Sequence, residues 1–114
     1  VSKPMSKEVK AGYLFPYDSW KNRIATLRFV QDIPINPQHP SFSVLKEIEK
    51  GLEKLSGKPM LICWGMKDFV FTEKYLKEWM RRFPNAKAHQ FANAGHYLLE
   101  DAGNEVQNLV REFL

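Results

Sequence analysis

A single cysteine in 114 residues excludes a disulfide framework, a paired-cysteine redox centre and a cysteine-built zinc site. No apolar run approaches the ~18 residues that a helical membrane span requires; the longest is the short Met60-Leu-Ile-Cys-Trp64. There is no internal repeat, no low-complexity tract and no glycine-rich phosphate loop, so nucleotide binding has no support. A strong charge of either sign is also lacking. Seventeen basic residues against thirteen acidic give +4, and the excess lies in residues 1–58, with ten basic and six acidic side chains. Even there Lys46, Lys50, Lys54 and Lys58 alternate with Glu47, Glu49 and Glu53, as on a solvated helix face. The only adjacent basic pair is Arg81–Arg82, and no aromatic-basic motif of the RNA-recognition type occurs, so nucleic acid is not an expected partner. A membrane is not expected either.

What is present is ordinary globular material: 44% hydrophobic and 26% charged residues, enough for one modest core. Aromatics are plentiful, with eight Phe, four Tyr and three Trp. The sequence opens on Val1 without a signal-peptide pattern, so processing or truncation is expected to have made that end; for the intact protein a cytoplasmic location is expected.

Three prolines in Ile33-Pro-Ile-Asn-Pro-Gln-His-Pro40 fix φ and cannot donate to a ladder, which makes residues 34–40 an extended connector. Before it, Ser19–Val30 reads as a helix bearing Trp20, Ile24, Leu27 and Phe29. Tyr13, Phe15 and Tyr17 around Pro16 lack clean periodicity and suggest a surface that covers something. After the connector, Leu45, Ile48, Leu52 and Leu55 recur at helical spacing behind Ser41 or Ser43 as cap, and Gly57 and Pro59 end the run. Met60–Trp64 reads as a strand covered on both faces. Thr72 is placed to cap a helix to about Arg82 that buries Leu76, Trp79, Met80 and Phe83. Lys87–Phe91 is a second strand, and Asn93–His96 a loop. Val106, Leu109, Val110, Phe113 and Leu114 mark a final helix.

Strands separated by helices imply a parallel α/β sheet. A strand apolar on both faces needs neighbours that these two strands cannot supply, so the chain is expected to be part of a larger sheet. Its partners would then be the missing amino-terminal part of the same protein or, for the isolated chain, a second copy.

In open α/β sheets functional groups gather beyond the carboxyl ends of the strands. Asp68 follows the first strand by four residues and His96 the second by five. A carboxylate that accepts the Nδ1–H of an imidazole fixes its tautomer and stabilises the imidazolium, the supporting half of a nucleophile–His–acid relay. Each residue alone has a plainer reading, the Asp as a turn cap and the His as a structural or surface residue. Their joint placement favours the catalytic one. Cys63 reads as a buried, reduced thiol inside a strand, His39 and His89 as surface residues, and Trp64 and Trp79 as core. The three histidines are too scattered for a metal site, and no cofactor is implied. Glu100 and Asp101 are placed to offset the dipole at the start of the last helix.

The stretches Lys58-Pro-Met-Leu-Ile-Cys-Trp-Gly-Met-Lys-Asp68, Phe83-Pro-Asn-Ala86 and Ala94-Gly-His96, with Glu100 following, resemble the carboxyl-terminal part of α/β-hydrolase-fold proteins. In that fold the triad runs nucleophile, acid, His along the chain. The resemblance therefore implies Asp68 as the acid and His96 as the general base. Tyr13-Leu-Phe-Pro-Tyr17, Arg23 and Phe29-Val-Gln-Asp-Ile-Pro34 are similar to the end of the helical cap in haloalkane dehalogenase-like hydrolases, whose relatives include the β-lactone-cleaving enzymes of olefin synthesis. That implies cap residues in 1–33, a connector at 34–40 and core at 41–114. It also implies, in the full-length enzyme, a small or apolar substrate: haloalkane, epoxide, ester or lactone. None of the six serines lies in G-x-S-x-G and no aspartate in G-x-D-x-G, so the nucleophile elbow is absent and the chain alone is expected to be inactive. The rival reading is a non-catalytic interaction module that retains part of a hydrolase fold.

Overall fold

The computed structural model of the protein describes residues 1–114 and contains two compact units, residues 6–55 and residues 56–114 together with 1–5. Residues 34–40 lie within the first of these.

The 6–55 unit is helical. Ser6 opens α1 (Lys7–Leu14) by accepting the Val9 N–H at 3.2 Å, and a 3₁₀ turn at Phe15–Tyr17 places Pro16 where its missing N–H costs nothing. Ser19 caps α2 (Trp20–Gln31) in the same way through Asn22, close to the helix expected at Ser19–Val30. The connector residues form turns, with His39 N–H donating to Asn36 and Phe42 N–H to His39. Helix α3 (Phe42–Gly51) starts at Ser41, whose backbone carbonyl accepts from Leu45 while its hydroxyl makes no capping bond; a 3₁₀ turn at Leu52–Leu55 follows. No residue of 6–55 is buried: of the stripe expected to face a core, Leu45 and Ile48 on α3 and Leu55 in the turn after it stand exposed, and Leu52 is half-buried. An amphipathic helix buries its stripe only against another apolar layer.

The other unit holds β1 (Leu61–Gly65), α4 (Glu73–Arg82), β2 (Lys87–Phe91) and α5 (Leu98–Phe113). The strands pair in parallel with Leu61 opposite Lys87 and Gly65 opposite Phe91, and this is the whole sheet. β2 occupies the residues its pattern implies, and β1 starts and ends one residue later than expected.

Burial is where expectation and structure part. Within β1 only Ile62 and Gly65 are buried, while Leu61, Cys63 and Trp64 are half-covered. A strand is hidden on both faces only when layers flank it on both sides, and a two-stranded sheet also leaves an unpaired edge on each strand. On α4, Leu76 is 1% and Phe83 4% exposed, as expected, but Trp79 at 37% and Met80 at 41% stay in solvent. Trp79 stacks on Phe83 with ring centroids 5.7 Å apart. The best-packed cluster joins Ala94 of the loop after β2 to Ala102 and Val106 of α5, with Cys63, Phe91 and Leu98 against it. No helix is long and apolar enough to cross a membrane.

Candidate active site

Both strands end at the same edge, and the loops that leave them are tied together. Met66 N–H donates to Phe91 carbonyl at 3.0 Å, extending the ladder past β1, and Lys67 N–H donates to Ala94 carbonyl at 2.8 Å. Gly65 makes this approach possible. A Cβ there would lie 2.4 Å from the Gly95 carbonyl oxygen and 2.8 Å from that of Ala94. A strand end pressed this close to another backbone has room only for glycine.

The two side chains expected to work together meet at this edge. His96 Nδ1 is 3.0 Å from Asp68 Oδ2 and 3.1 Å from Oδ1. The contact to an ionised acceptor puts the proton on Nδ1 and leaves Nε2 as the basic nitrogen. Asp68 is held in turn by its own loop, Oδ1 accepting the N–H of Val70 at 2.8 Å and of Phe71 at 2.9 Å. Burial works against the charge, but the Phe71 N–H, the His96 ring and the Val70 N–H outweigh it and hold the carboxyl below its usual range. The carboxylate is thus an aspartate turn and an imidazole partner at once, so the two readings open in the sequence are not exclusive. Trp64 Nε1–H donates to Phe71 carbonyl at 3.0 Å and pins the far side of that loop.

Aromatic rings surround the imidazole. Phe71 lies 5.6 Å, Tyr97 5.7 Å and Phe69 6.1 Å from it between ring centroids. Phe69 is 80% exposed and forms an open apolar rim beside a half-exposed histidine side chain. Neither phenylalanine stands out in the sequence; the one available signal is that both fall within three residues after Asp68.

Other residues fall elsewhere. Cys63 is half-buried rather than buried, for the reason given for β1, and partial burial raises its thiol pKa. His89 is half-buried on β2. His39, expected at the surface, is also half-buried; its Nδ1 accepts the Ser41 N–H and its Nε2 lies 3.6 Å from Asp32. No three His, Cys, Asp or Glu side chains converge as a metal site would need. Asp101 lies in the first turn of α5 with Glu100, as expected, and does more there: it is 4% exposed and accepts hydrogen bonds from three backbone N–H groups, those of Ser2, Lys3 and Gly95.

The α/β-hydrolase-fold family model matches residues 14–103. Two similar proteins are both called cis-3-alkyl-4-alkyloxetan-2-one decarboxylase. The one from Shewanella oneidensis is 46% identical over 111 residues, spanning 97% of this chain and 35% of the relative. The one from Xanthomonas campestris pv. campestris is 39% identical over 114 residues, spanning 100% of this chain and 38% of the relative. The chain therefore spans little more than a third of the length of these relatives. With most of its residues matched, and a parallel sheet whose two strand ends present an acid and a histidine, the chain belongs to the α/β-hydrolase-fold family.

Proposed function

We propose that the chain is the carboxyl-terminal part of a cap-bearing α/β-hydrolase-fold enzyme in which His96 is the general base and Asp68 its acid partner. The observation that carries this reading is the contact between His96 Nδ1 and the Asp68 carboxylate across two loops at one sheet edge. It has the geometry of an oriented base, and acid before histidine is the order the fold uses. The nucleophile belongs to the part of the protein outside this chain, so the chain alone is inactive. Residues 1–33 serve as the end of the cap, with exposed Phe15, Trp20 and Phe29 available to an apolar substrate, residues 34–40 as connector and 41–114 as core.

For substrate class, the names of the relatives favour a β-lactone carrying two alkyl chains over a haloalkane, epoxide or simple ester. Decarboxylation of such a ring breaks the bond between the carbonyl carbon and C3 and the bond between the ring oxygen and C4. The products are carbon dioxide and an alkene, and no water is consumed. Hydrolysis of the same ring adds water across the acyl bond and gives a 3-hydroxy acid. The test supplies a cis-3,4-dialkyl-oxetan-2-one to the full-length protein and separates the products by gas chromatography and mass spectrometry. Alkene with carbon dioxide supports the decarboxylase reading, and 3-hydroxy acid supports a lactone hydrolase. His96→Ala is expected to abolish either, and a His96→Ala protein with wild-type turnover overturns the assignment.

A further inference from the structure

A histidine on a loop is aimed by its backbone as much as by its side-chain partner. The loop after β2 runs Asn93-Ala-Gly-His96, and glycine at 95 gives up more backbone freedom on ordering than any other residue type. Something has to fix it. Asp68 acts on the imidazole ring, beyond two rotatable bonds, and does not hold the Gly95 peptide. The Gly95 N–H donates instead to Asp101 Oδ2 at 2.8 Å, in a buried contact. The same carboxylate accepts the Ser2 N–H at 2.9 Å on each oxygen and the Lys3 N–H at 3.0 Å on Oδ1, while Lys3 Nζ donates to the Asp101 carbonyl at 2.6 Å.

These contacts suit aspartate and no close substitute. Every partner is a donor, and an ionised carboxylate is the one short side chain that accepts on both oxygens. An amide of the same shape would turn its NH₂ toward either Gly95 or the Ser2–Lys3 pair, leaving a buried donor facing a donor. Space around Gly95 is equally close: a Cβ there would lie 2.9 Å from Ser2 Oγ, 3.5 Å from Lys67 carbonyl oxygen and 3.6 Å from Asp101 Oδ2. The loop before His96 is thus gripped from one side by the segment after β1 and from the other by a buried carboxylate anchored to residues 2 and 3.

We propose that Asp101 is the positioning residue of His96, fixing the Ala94–Gly95 peptide ahead of it so that the imidazole meets Asp68 and presents Nε2 in one place. The proposal rests on the reading of His96 as the base. Asp101 acts through the backbone and touches no reacting atom. It is a second carboxylate in support of one histidine, invisible to a search for side chains near the imidazole.

The test uses Asp101→Asn in the full-length protein, assayed well below its melting temperature on the β-lactone, with His96→Gln alongside. The expected result is a fall in kcat of about 10- to 100-fold, as for a misplacement near 1 Å, with KM within about twofold. The downfield proton resonance of His96 Nδ1–H, assigned by its loss in His96→Gln, should broaden or vanish although Asp68 is intact. A lower melting temperature with wild-type kcat and an unchanged resonance means that Asp101 only stabilises the fold, and overturns the proposal. If Asp101→Asn does not fold, Asp101→Glu decides. Its carboxylate sits one methylene further out, so a reduced kcat at constant KM with a broadened resonance supports the proposal, and wild-type values of both overturn it. Should His96→Gln itself keep full turnover, the reading of His96 as base has failed, while the resonance still reports whether Asp101 holds the ring.

Discussion

Gly65→Ala is the smallest change that tests how the two strand ends are joined. The added methyl carbon would lie 2.4 Å from the Gly95 carbonyl oxygen, and ordinary contact begins near 3.4 Å, so the two backbones would separate by about 1 Å. No flexible side chain can absorb this, because the nearest atoms all belong to the backbone of Ala94 and Gly95. Overpacking of this kind costs about 1–3 kcal/mol. Loss of the 2.8 Å hydrogen bond from Lys67 N–H to Ala94 adds about 1 kcal/mol. A total of about 2–4 kcal/mol corresponds to a melting temperature lower by roughly 5–15 °C in a protein of 150–250 residues or more. The same displacement moves His96 from Asp68, and a 1 Å error in a catalytic group can cost about 100-fold in rate. Differential scanning calorimetry and kcat on the full-length protein read both effects. A variant that melts within about 1 °C of the wild type and keeps its kcat would refute the account of why glycine stands at 65.

Asp68→Asn should remove a pH dependence of stability. The folded carboxyl lies below its ordinary value of 3.8, so its contribution is present above that value and is lost as pH falls through the folded value. Urea midpoints of wild type and variant should accordingly differ more at pH 6 than at pH 3. Leu76→Ala, at the most buried side chain, should cost about 2–5 kcal/mol, whereas Leu99→Ala on the exposed side of α5 should stay within about 0.5 kcal/mol; chemical denaturation compares them. The isolated 114-residue chain should turn over no lactone and should self-associate through its unpaired strand edges and exposed apolar faces. Light scattering across a dilution series checks this, and a concentration-independent monomer would count against it.

Local signals carried most of the element order. Lys87–Phe91 is bounded by a Pro-Asn turn before it and an Asn-Ala-Gly loop after it, and its limits follow from those breakers. Asp68 and His96 were legible because strand ends in a parallel sheet fall together whatever the rest of the chain does. Helix α1 was not. Lys7–Leu14 has no apolar stripe and nothing buried, and the Ser6 cap alone does not distinguish a helix from a turn. Burial was overstated at Trp79, Met80 and α3 because a sequence records which faces are apolar but not whether a covering layer lies in the same stretch of chain. Asp101 was legible as a first-turn carboxylate of α5 but its partners were not, because three of its donor contacts come from Ser2 and Lys3, nearly a hundred positions away.

Helix α5 is not one rod. Ala102 leaves helical geometry at φ −142° and ψ 31°, immediately after Asp101. The turn that carries the carboxylate is therefore joined to the shaft bearing Val106, Leu109 and Phe113 through a kink, so the backbone direction of the shaft is set apart from that of the turn. Through its side chains the shaft still reaches the histidine loop, because Val106 and Ala102 pack in one cluster with Ala94. An engineer could recut α5 beyond Val106 while leaving the Tyr97–Asp101 turn and the Ala94–Ala102–Val106 cluster untouched, and would find the helix most tolerant past that point.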